Sequence, residues 1–249
     1  MVHGIDKFRE WFEEYNGKYA FIGGTACTIH FDVLGSEFRS TKDLDIVLIL
    51  EAIDEPFVEK FCKFIEEGQY EHIQKSSGKE QFYRFDKPKN NEFPKMIELF
   101  SKKPEYFEGM SLTCVPIHIS DKVESLSAIL LNDEYYNMIK SGHETIDGLT
   151  TLSLEYILVF KVKAWLDLSE RKENGENIDS RNIKKHKNDI FRIAANLFPG
   201  QLVKIEQNIK KDIEEFLDKV KKENINVKNL NIEGISSEDL VERIKSIYL

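Results

Sequence analysis

Short β-rich runs separated by a helical stretch make up the first half of this chain of 249 residues, and helical spacing dominates the second half. The runs have the β-branched, aromatic and alternating character of strands; they are residues 19–22, 44–50, 81–85 and 95–100. Residues 55–67 place their apolar side chains at helical spacing. The pattern predicts an α/β (α+β) fold: a mixed sheet with flanking helices, followed by a helical domain.

The second half is predicted to contain four helices. Ser153 is predicted to cap the N-terminus of a helix at residues 154–171 with its side chain. Two further amphipathic patterns cover residues 183–197 and 202–222. Ser236 and Asp239 form a capping-box pattern that opens a last short helix. We therefore place a sheet-containing domain at residues 1–119 and a helical domain, which completes a cleft, at residues 120–249.

Charge and hydropathy exclude several classes of protein. The formal net charge of −9 argues against a broad electrostatic grip on nucleic acid, so any such contact must be local. The longest apolar stretches, residues 46–50 and 156–160, are far shorter than the roughly 18–20 residues that a membrane-spanning helix needs. The N-terminus has the pattern of an amphipathic helix rather than of a signal peptide. We expect a cytoplasmic protein without a membrane segment.

A two-glycine turn joins the first predicted strand to a helix. Gly23 and Gly24 have no Cβ, so backbone N–H groups can approach a phosphate closely, and the helix N-terminus that follows favours anions. Thr25 adds a hydroxyl. The turn is consistent with a phosphate-binding loop, but two glycines by themselves are explained better by a tight strand-to-helix turn.

Three acidic residues are candidate metal ligands. Asp43 and Asp45 lie two apart on a predicted strand, so both carboxylates point to one face, where their repulsion would be relieved by Mg²⁺ with a bound triphosphate. Glu98 interrupts a later apolar strand and is the best third carboxylate for two-metal phosphoryl transfer. Asp86 competes, but it precedes Lys87 and Pro88 in a predicted turn. The alternative for the aspartates is a solvent-facing strand start.

These motifs together resemble a known superfamily. Gly-Gly-Thr-Ala, then Arg-x-Thr-x-Asp-x-Asp, then a lone acid on a later strand is similar to DNA polymerase β-type nucleotidyltransferases, and the wider layout resembles the AbiEii-like nucleotidyltransferase toxins of type IV toxin–antitoxin systems. The resemblance implies that residues 1–119 form the catalytic domain and that two Mg²⁺ ions and a nucleoside triphosphate bind there. The residues it assigns are Asp43, Asp45 and Glu98 as catalytic metal ligands and Gly23, Gly24, Thr25, Arg39 and Thr41 as nucleotide-binding.

Two helices of the second half complete the active site in that family. The matching residues are Lys161 on one helix and Lys187 with Asp189 on the next. Lys161 has apolar neighbours at helical spacing, so a carboxylate or a phosphate should lie opposite it. Lys187 falls on the apolar stripe of its helix, whereas Asp189 lies off that stripe. Residues 184–187 could instead form a solvated charged face.

The resemblance implies transfer of a nucleoside monophosphate from a nucleoside triphosphate to a hydroxyl, with pyrophosphate leaving. The closer family suggests the 3′ end of transfer RNA as acceptor and a separately encoded antitoxin as partner. Alternatives in the same class are an aminoglycoside-modifying or a protein-modifying nucleotidyltransferase, which the acidic charge balance favours slightly. The alternative of a different class is a non-catalytic binding or regulatory module with this fold.

Overall fold

The computed structural model describes residues 2–49, 51–75, 82–100, 115–116, 132–221, 225 and 227–249. The chain folds as two compact units. The first comprises Met1–Ser120 and Ile139–Ser153, and the second comprises Asp121–Met138 and Leu154–Leu249. Strands and helices alternate around one mixed sheet, which confirms the predicted α/β class.

An eight-stranded sheet is the framework of the first unit, with strand order β6-β3-β4-β5-β2-β1-β8-β7 and both parallel and antiparallel pairs. Its strands are β1 (Tyr19–Phe21), β2 (Asp43–Leu48), β3 (Tyr70–Lys75), β4 (Phe82–Pro88), β5 (Met96–Phe100), β6 (Val115–Pro116), β7 (His143–Ile146) and β8 (Leu149–Leu152). Its helices are α1 (Ile5–Phe12), α2 (Gly23–Val33) and α3 (Glu55–Gly68). A further helix, α4 (Asp133–Gly142), leads into β7.

One face of this sheet is covered by an aromatic core. Tyr19 and Phe21 alternate on β1 and therefore share a face. Phe8 of α1 lies edge-on to both rings, at centroid distances of 5.3 and 5.1 Å. Phe64 of α3 contacts Phe12 of α1 in the same way at 5.3 Å. The core therefore packs α1 and α3 together and α1 against β1, whereas α2 packs against β2.

Helices make up the second unit from Leu154 onward: α5 (Leu154–Glu173), α6 (Ser180–Asn196), α7 (Gln207–Val220) and α8 (Ser237–Tyr248). Trp165 of α5 and Phe191 of α6 both contact Phe216 of α7, at ring-centroid distances of 5.2 and 6.2 Å. The capping box of Ser236 and Asp239 is present at the start of α8, as predicted. Within the described ranges, no helix is both long and apolar enough to cross a membrane.

The structure differs from the predictions in three elements. Residues 143–152 were assigned to the helical domain, but they form a β-hairpin whose second strand pairs with β1, so they belong to the first unit. Asp147 and Gly148 both take positive φ at its turn, as a two-residue hairpin requires. The Ser153 hydroxyl has no hydrogen-bond partner among the described residues. Residues 202–206 precede α7 because the Val203 N–H donates to the Ile247 carbonyl instead.

Candidate functional site

The predicted acids meet on one face of the sheet. Strands β2 and β5 pair in parallel, with Asp45 directly opposite Glu98 and Asp43 opposite Met96. Partner residues on neighbouring strands, and alternate residues on one strand, point to the same face, so Asp43, Asp45 and Glu98 share it. Asp45 is 1% exposed and Glu98 is 2% exposed. Two carboxylates therefore lie side by side away from water, which requires positive charge or hydrogen-bond donors nearby.

The glycine turn lies directly against Asp45. The Ile22 N–H donates to the Asp45 carbonyl oxygen at 2.9 Å, and α2 begins at the next residue. Gly23 has φ of +65°, and a Cβ added there would lie 2.2 Å from Oδ2 of Asp45. Only glycine fits both the left-handed backbone and this close approach. The Asp45 carboxylate is thereby held at the N-terminus of α2.

Gly24 brings two more of the predicted residues to the same place. A Cβ at Gly24 would lie 2.7 Å from Oγ1 of Thr41 and 3.5 Å from Nη2 of Arg39. The Arg39 guanidinium lies over the ring of Phe38, 5.2 Å from its centroid, and donates to the Ser40 carbonyl at 3.4 Å. The structure thus places Arg39 and Thr41 beside the first turn of α2.

Thr25 differs from its predicted role. Its side chain is fully buried, and its hydroxyl donates to the Asp43 carbonyl oxygen at 2.6 Å. That bond joins the first turn of α2 to the start of β2, so the hydroxyl stabilises the local structure. Intrahelical bonding begins with the Ala26 N–H, which donates to the Ile22 carbonyl at 3.3 Å. The backbone N–H groups of the residues before Ala26 precede this first intrahelical bond, so they are the donors that the helix N-terminus can offer to an anion.

An arginine that sequence reasoning missed neutralises Glu98. Arg84 on β4 is the antiparallel partner of Glu98, and its Nη2 and Nε lie 2.7 and 3.2 Å from Oε1 of Glu98. The signal was present in the sequence, since Arg84 is the one charged residue within the predicted strand at residues 81–85. A lone arginine among aromatic residues needs a partner on its own face, and that partner is the predicted third acid.

The donor chemistry of this face suits magnesium only in part. Asp43 and Asp45 supply the hard carboxylate oxygens that Mg²⁺ prefers. Glu98, by contrast, directs one oxygen to Arg84. Across the described ranges, no group of three or more His, Cys, Asp or Glu side chains is arranged to hold a metal ion. The two aspartates therefore fit the ion, and the use of Glu98 as a shared ligand stays a prediction.

Asp86 does not lie in a turn, contrary to the prediction. It is part of β4, which continues to Pro88. Asp86 pairs with Met96 of β5, and Met96 pairs on its other side with Asp43 of β2. Lys87 has positive φ, so the irregular backbone that suggested a turn lies within the last residues of β4. Asp86 is consequently a further carboxylate on the face that carries Asp43 and Asp45.

The second unit contains a buried charge cluster. Nζ of Lys161 lies 2.8 Å from Oδ2 of Asp189, and the two side chains are 5% and 0% exposed. Arg192 contacts the other carboxylate oxygen at 3.4 Å. The prediction that a carboxylate or a phosphate lies opposite Lys161 is confirmed for the carboxylate. Asp189 was placed off the buried stripe, and that was wrong: its helix is buried over a wider arc, where two cations compensate the charge.

Lys187 has a different environment from Lys161. It is half-buried and lines a cavity of about 580 Å³ formed by α5, α6 and α7. The adjacent Lys184 also lines this cavity. Lys184 is exposed, as the alternative of a solvated charged face expected, and it lines an open depression together with Lys187.

Two titratable side chains outside the acids have structural roles. His30 of α2 is buried, and its Nε2 donates to the Leu152 carbonyl at 2.9 Å. Tyr135 donates to Oδ2 of Asp212 at 2.7 Å. Burial raises the pKa of Tyr135 far above its usual value, and the Asp212 carboxylate raises that pKa further. Tyr135 therefore remains a neutral donor.

Comparison with known proteins finds no family model that matches this chain and no match among curated proteins. The nucleotidyltransferase resemblance therefore rests on the motif residues and on their placement.

Proposed function

We propose that this protein is a magnesium-dependent nucleotidyltransferase. The observation that carries the proposal is the close approach of the Asp45 carboxylate to Gly23, 2.2 Å from the position of a missing Cβ, on the sheet face shared with Asp43 and Glu98. Carboxylates grouped beside a helix N-terminus combine the ligands that Mg²⁺ prefers with backbone donors that favour phosphate.

Each group of residues at the site has its own role in triphosphate binding and transfer. The first turn of α2 binds the triphosphate through backbone N–H groups and the helix dipole, and Gly23 and Gly24 permit the close approach. Arg39 and Thr41, beside Gly24, contact the phosphates from the other side. Asp43 and Asp45 would hold Mg²⁺, which supplies positive charge to the phosphate oxygens. Glu98 would position the attacking hydroxyl, and the contact with Arg84 orients its carboxylate.

The proposal extends to the acceptor of the nucleotidyl group, the protein partner and the cellular compartment. The family resemblance supports the 3′ end of transfer RNA as acceptor, an antitoxin partner and a cytoplasmic location. The net charge of −9 supports a small cationic molecule such as an aminoglycoside, or a protein side chain, instead. Lys161 and Lys187 are proposed to serve the phosphates. The contact of Lys161 with Asp189 gives it a second, structural use.

A non-catalytic binding module is the second candidate function. The observation that favours it is the ion pair of Glu98 with Arg84, because an acid neutralised by arginine is a stable structural arrangement as well as a catalytic one. Both candidates bind a nucleoside triphosphate in the same place. They differ in whether a nucleotidyl group is transferred.

Nucleotide binding is expected to require a divalent cation. Without it, the negative triphosphate lies against the carboxylates of Asp43 and Asp45, so its dissociation constant should rise at least about tenfold in chelator. Calorimetric titration of each nucleoside triphosphate, with Mg²⁺ and with excess chelator, measures the difference. Equal affinity under the two conditions would rule out a metal-dependent site at these aspartates.

Two glycine variants form a matched pair for the same titration. Gly23 and Gly35 both have φ of +65°, but a Cβ at Gly23 meets Asp45, whereas a Cβ at Gly35 has nothing within 4 Å. Both Ala variants carry similar backbone strain. Gly23→Ala should abolish magnesium-dependent binding, and Gly35→Ala should retain it. Retention in both variants contradicts a nucleotide site at this turn.

A further inference from the structure

The cavity of the second unit has the size of a small-molecule pocket. Its volume of about 580 Å³ falls in the range of roughly 300–1,000 Å³ typical of ligand sites. Helices α5, α6 and α7 each contribute to its wall, and all of its lining residues belong to the second unit. The residues that matter for its chemistry are Trp165, Ser169, Lys172, Lys184, Lys187 and Lys219.

The charge of this cavity is opposite to that of the whole chain. Four lysines line it beside one acid, Glu173, in a protein of net charge −9. Lys219 has a carboxylate neighbour, Glu215, at 3.0 Å on its own helix, but that side chain is 53% exposed and solvent screens the pair. Lys172 donates to a neutral group, the Ser180 hydroxyl. The four lysines thus make this cavity a local basic site in an otherwise acidic chain.

Two polar side chains in the wall support the same conclusion. The indole Nε1 of Trp165 and the hydroxyl of Ser169 are shielded from solvent and have no hydrogen-bond partner in the part of the chain that the structure describes. Both groups can donate. Trp165 is 4% exposed, with its ring against the edge of Phe216, so it offers no open face for stacking a base. Two unused donors and four ammonium groups suit an acceptor-rich anion better than an aromatic ring.

We propose that this cavity binds the diphosphate or triphosphate group of a small molecule. Lysine ammonium groups bind phosphate as point charges, and four of them match an anion that carries several charges. The limited volume of the cavity and the acidic remainder of the chain favour a compact ligand over an extended nucleic acid. The site does not depend on the proposed activity: apart from Lys187, which the family resemblance also assigns to nucleotide, its residues have no part in it.

The test uses the full chain in excess chelator, where the acids of the first unit hold no metal ion. Trp11 is the one other tryptophan, so a Trp11→Phe chain reports on Trp165 alone. Inorganic pyrophosphate should change its fluorescence saturably, with affinity that falls as salt rises. Calorimetry of the unsubstituted chain provides an independent measurement. Adenosine triphosphate should bind with similar affinity, because the phosphates alone are recognised, and sulfate should bind more weakly.

Lysine variants decide whether binding occurs in the cavity. Lys184→Gln combined with Lys219→Gln should raise the dissociation constant of pyrophosphate at least about tenfold. Lys211→Gln, which removes one charge from an exposed position on the helix of Lys219, should change it less than about twofold. No saturable signal by either method, or equal affinity in the double variant and the parent, overturns the proposal. Tighter binding of a short RNA than of pyrophosphate overturns the choice of ligand. None of these results bears on Asp45.

Discussion

Asp45→Asn is expected to slow nucleotide transfer at least about 10²-fold while leaving the fold intact. The substitution is nearly isosteric, and it removes one of two buried carboxylates that face each other across β2 and β5. Loss of that charge relieves repulsion in the protein alone but removes the proposed ligand of the catalytic ion. The free energy of unfolding should therefore stay within about 1 kcal/mol of the parent value.

The measurement pairs the thermal midpoint with the rate of labelled nucleotide transfer. Asp32→Asn is the matched control, because Asp32 is exposed near the end of α2 and the same chemical change there should leave the rate unchanged. An Asp45→Asn chain that melts normally and transfers as fast as the parent would show that Asp45 has no part in catalysis.

Asp189→Asn is expected to cause the largest loss of stability. The carboxylate is fully buried and compensates both Lys161 and Arg192, so its removal leaves the Lys161 ammonium in the interior without its partner. Breaking a buried pair in this way costs about 3–5 kcal/mol. At about 2–4 °C per kcal/mol for a domain of 150–250 residues, the midpoint of unfolding should fall by well over 5 °C.

Two comparisons separate the buried pair from a general charge effect. Asp218→Asn removes a carboxylate that is 78% exposed and 3.7 Å from Lys221, and it should change the midpoint by no more than about 1 °C. Lys161→Met combined with Asp189→Leu removes both charges, so it should destabilise less than Asp189→Asn alone. A single variant as stable as the parent, measured by denaturant titration of both, contradicts a compensating role for Asp189.

Local patterns were sufficient for much of the first unit. Alternation with a period of two identified the central strands β2 and β5, and it also put Asp43 and Asp45 on one face. The capping box before α8 was readable because all of its hydrogen bonds are formed within four residues. These features depend on neighbours in sequence, which is why a single chain reveals them.

Contacts between residues far apart in the sequence could not be predicted from local patterns. Arg84 meets Glu98 only through the order of strands in the sheet, and Asp189 is buried because α5 supplies Lys161 opposite it. The hairpin at residues 143–152 joined the sheet through β1, far away in sequence, although its Asp-Gly turn was a usable local signal. The lysines of the cavity come from three helices, so spacing along the chain could not show that they line one cavity.

We predicted a cleft that is lined on one side by the acids of β2 and on the other by the lysines of α5 and α6. This cleft stays a prediction. Within the first unit, however, the structure groups Gly23, Gly24, Arg39, Thr41 and Asp45 in one place. That grouping was expected from the motif resemblance and is independent of the arrangement of the two units.

Transfer of label from α-phosphate-labelled nucleoside triphosphates tests the central claim most directly. The full chain is incubated with each of the four triphosphates and total cell extract, with Mg²⁺ or with excess chelator, and RNA, protein and small molecules are then separated. We expect covalent label in one of these fractions, with one preferred nucleotide, only when Mg²⁺ is present and only with the parent rather than with Asp45→Asn. Label in none of the fractions from any triphosphate, from a chain that binds triphosphate normally, would contradict the enzyme and leave the binding module.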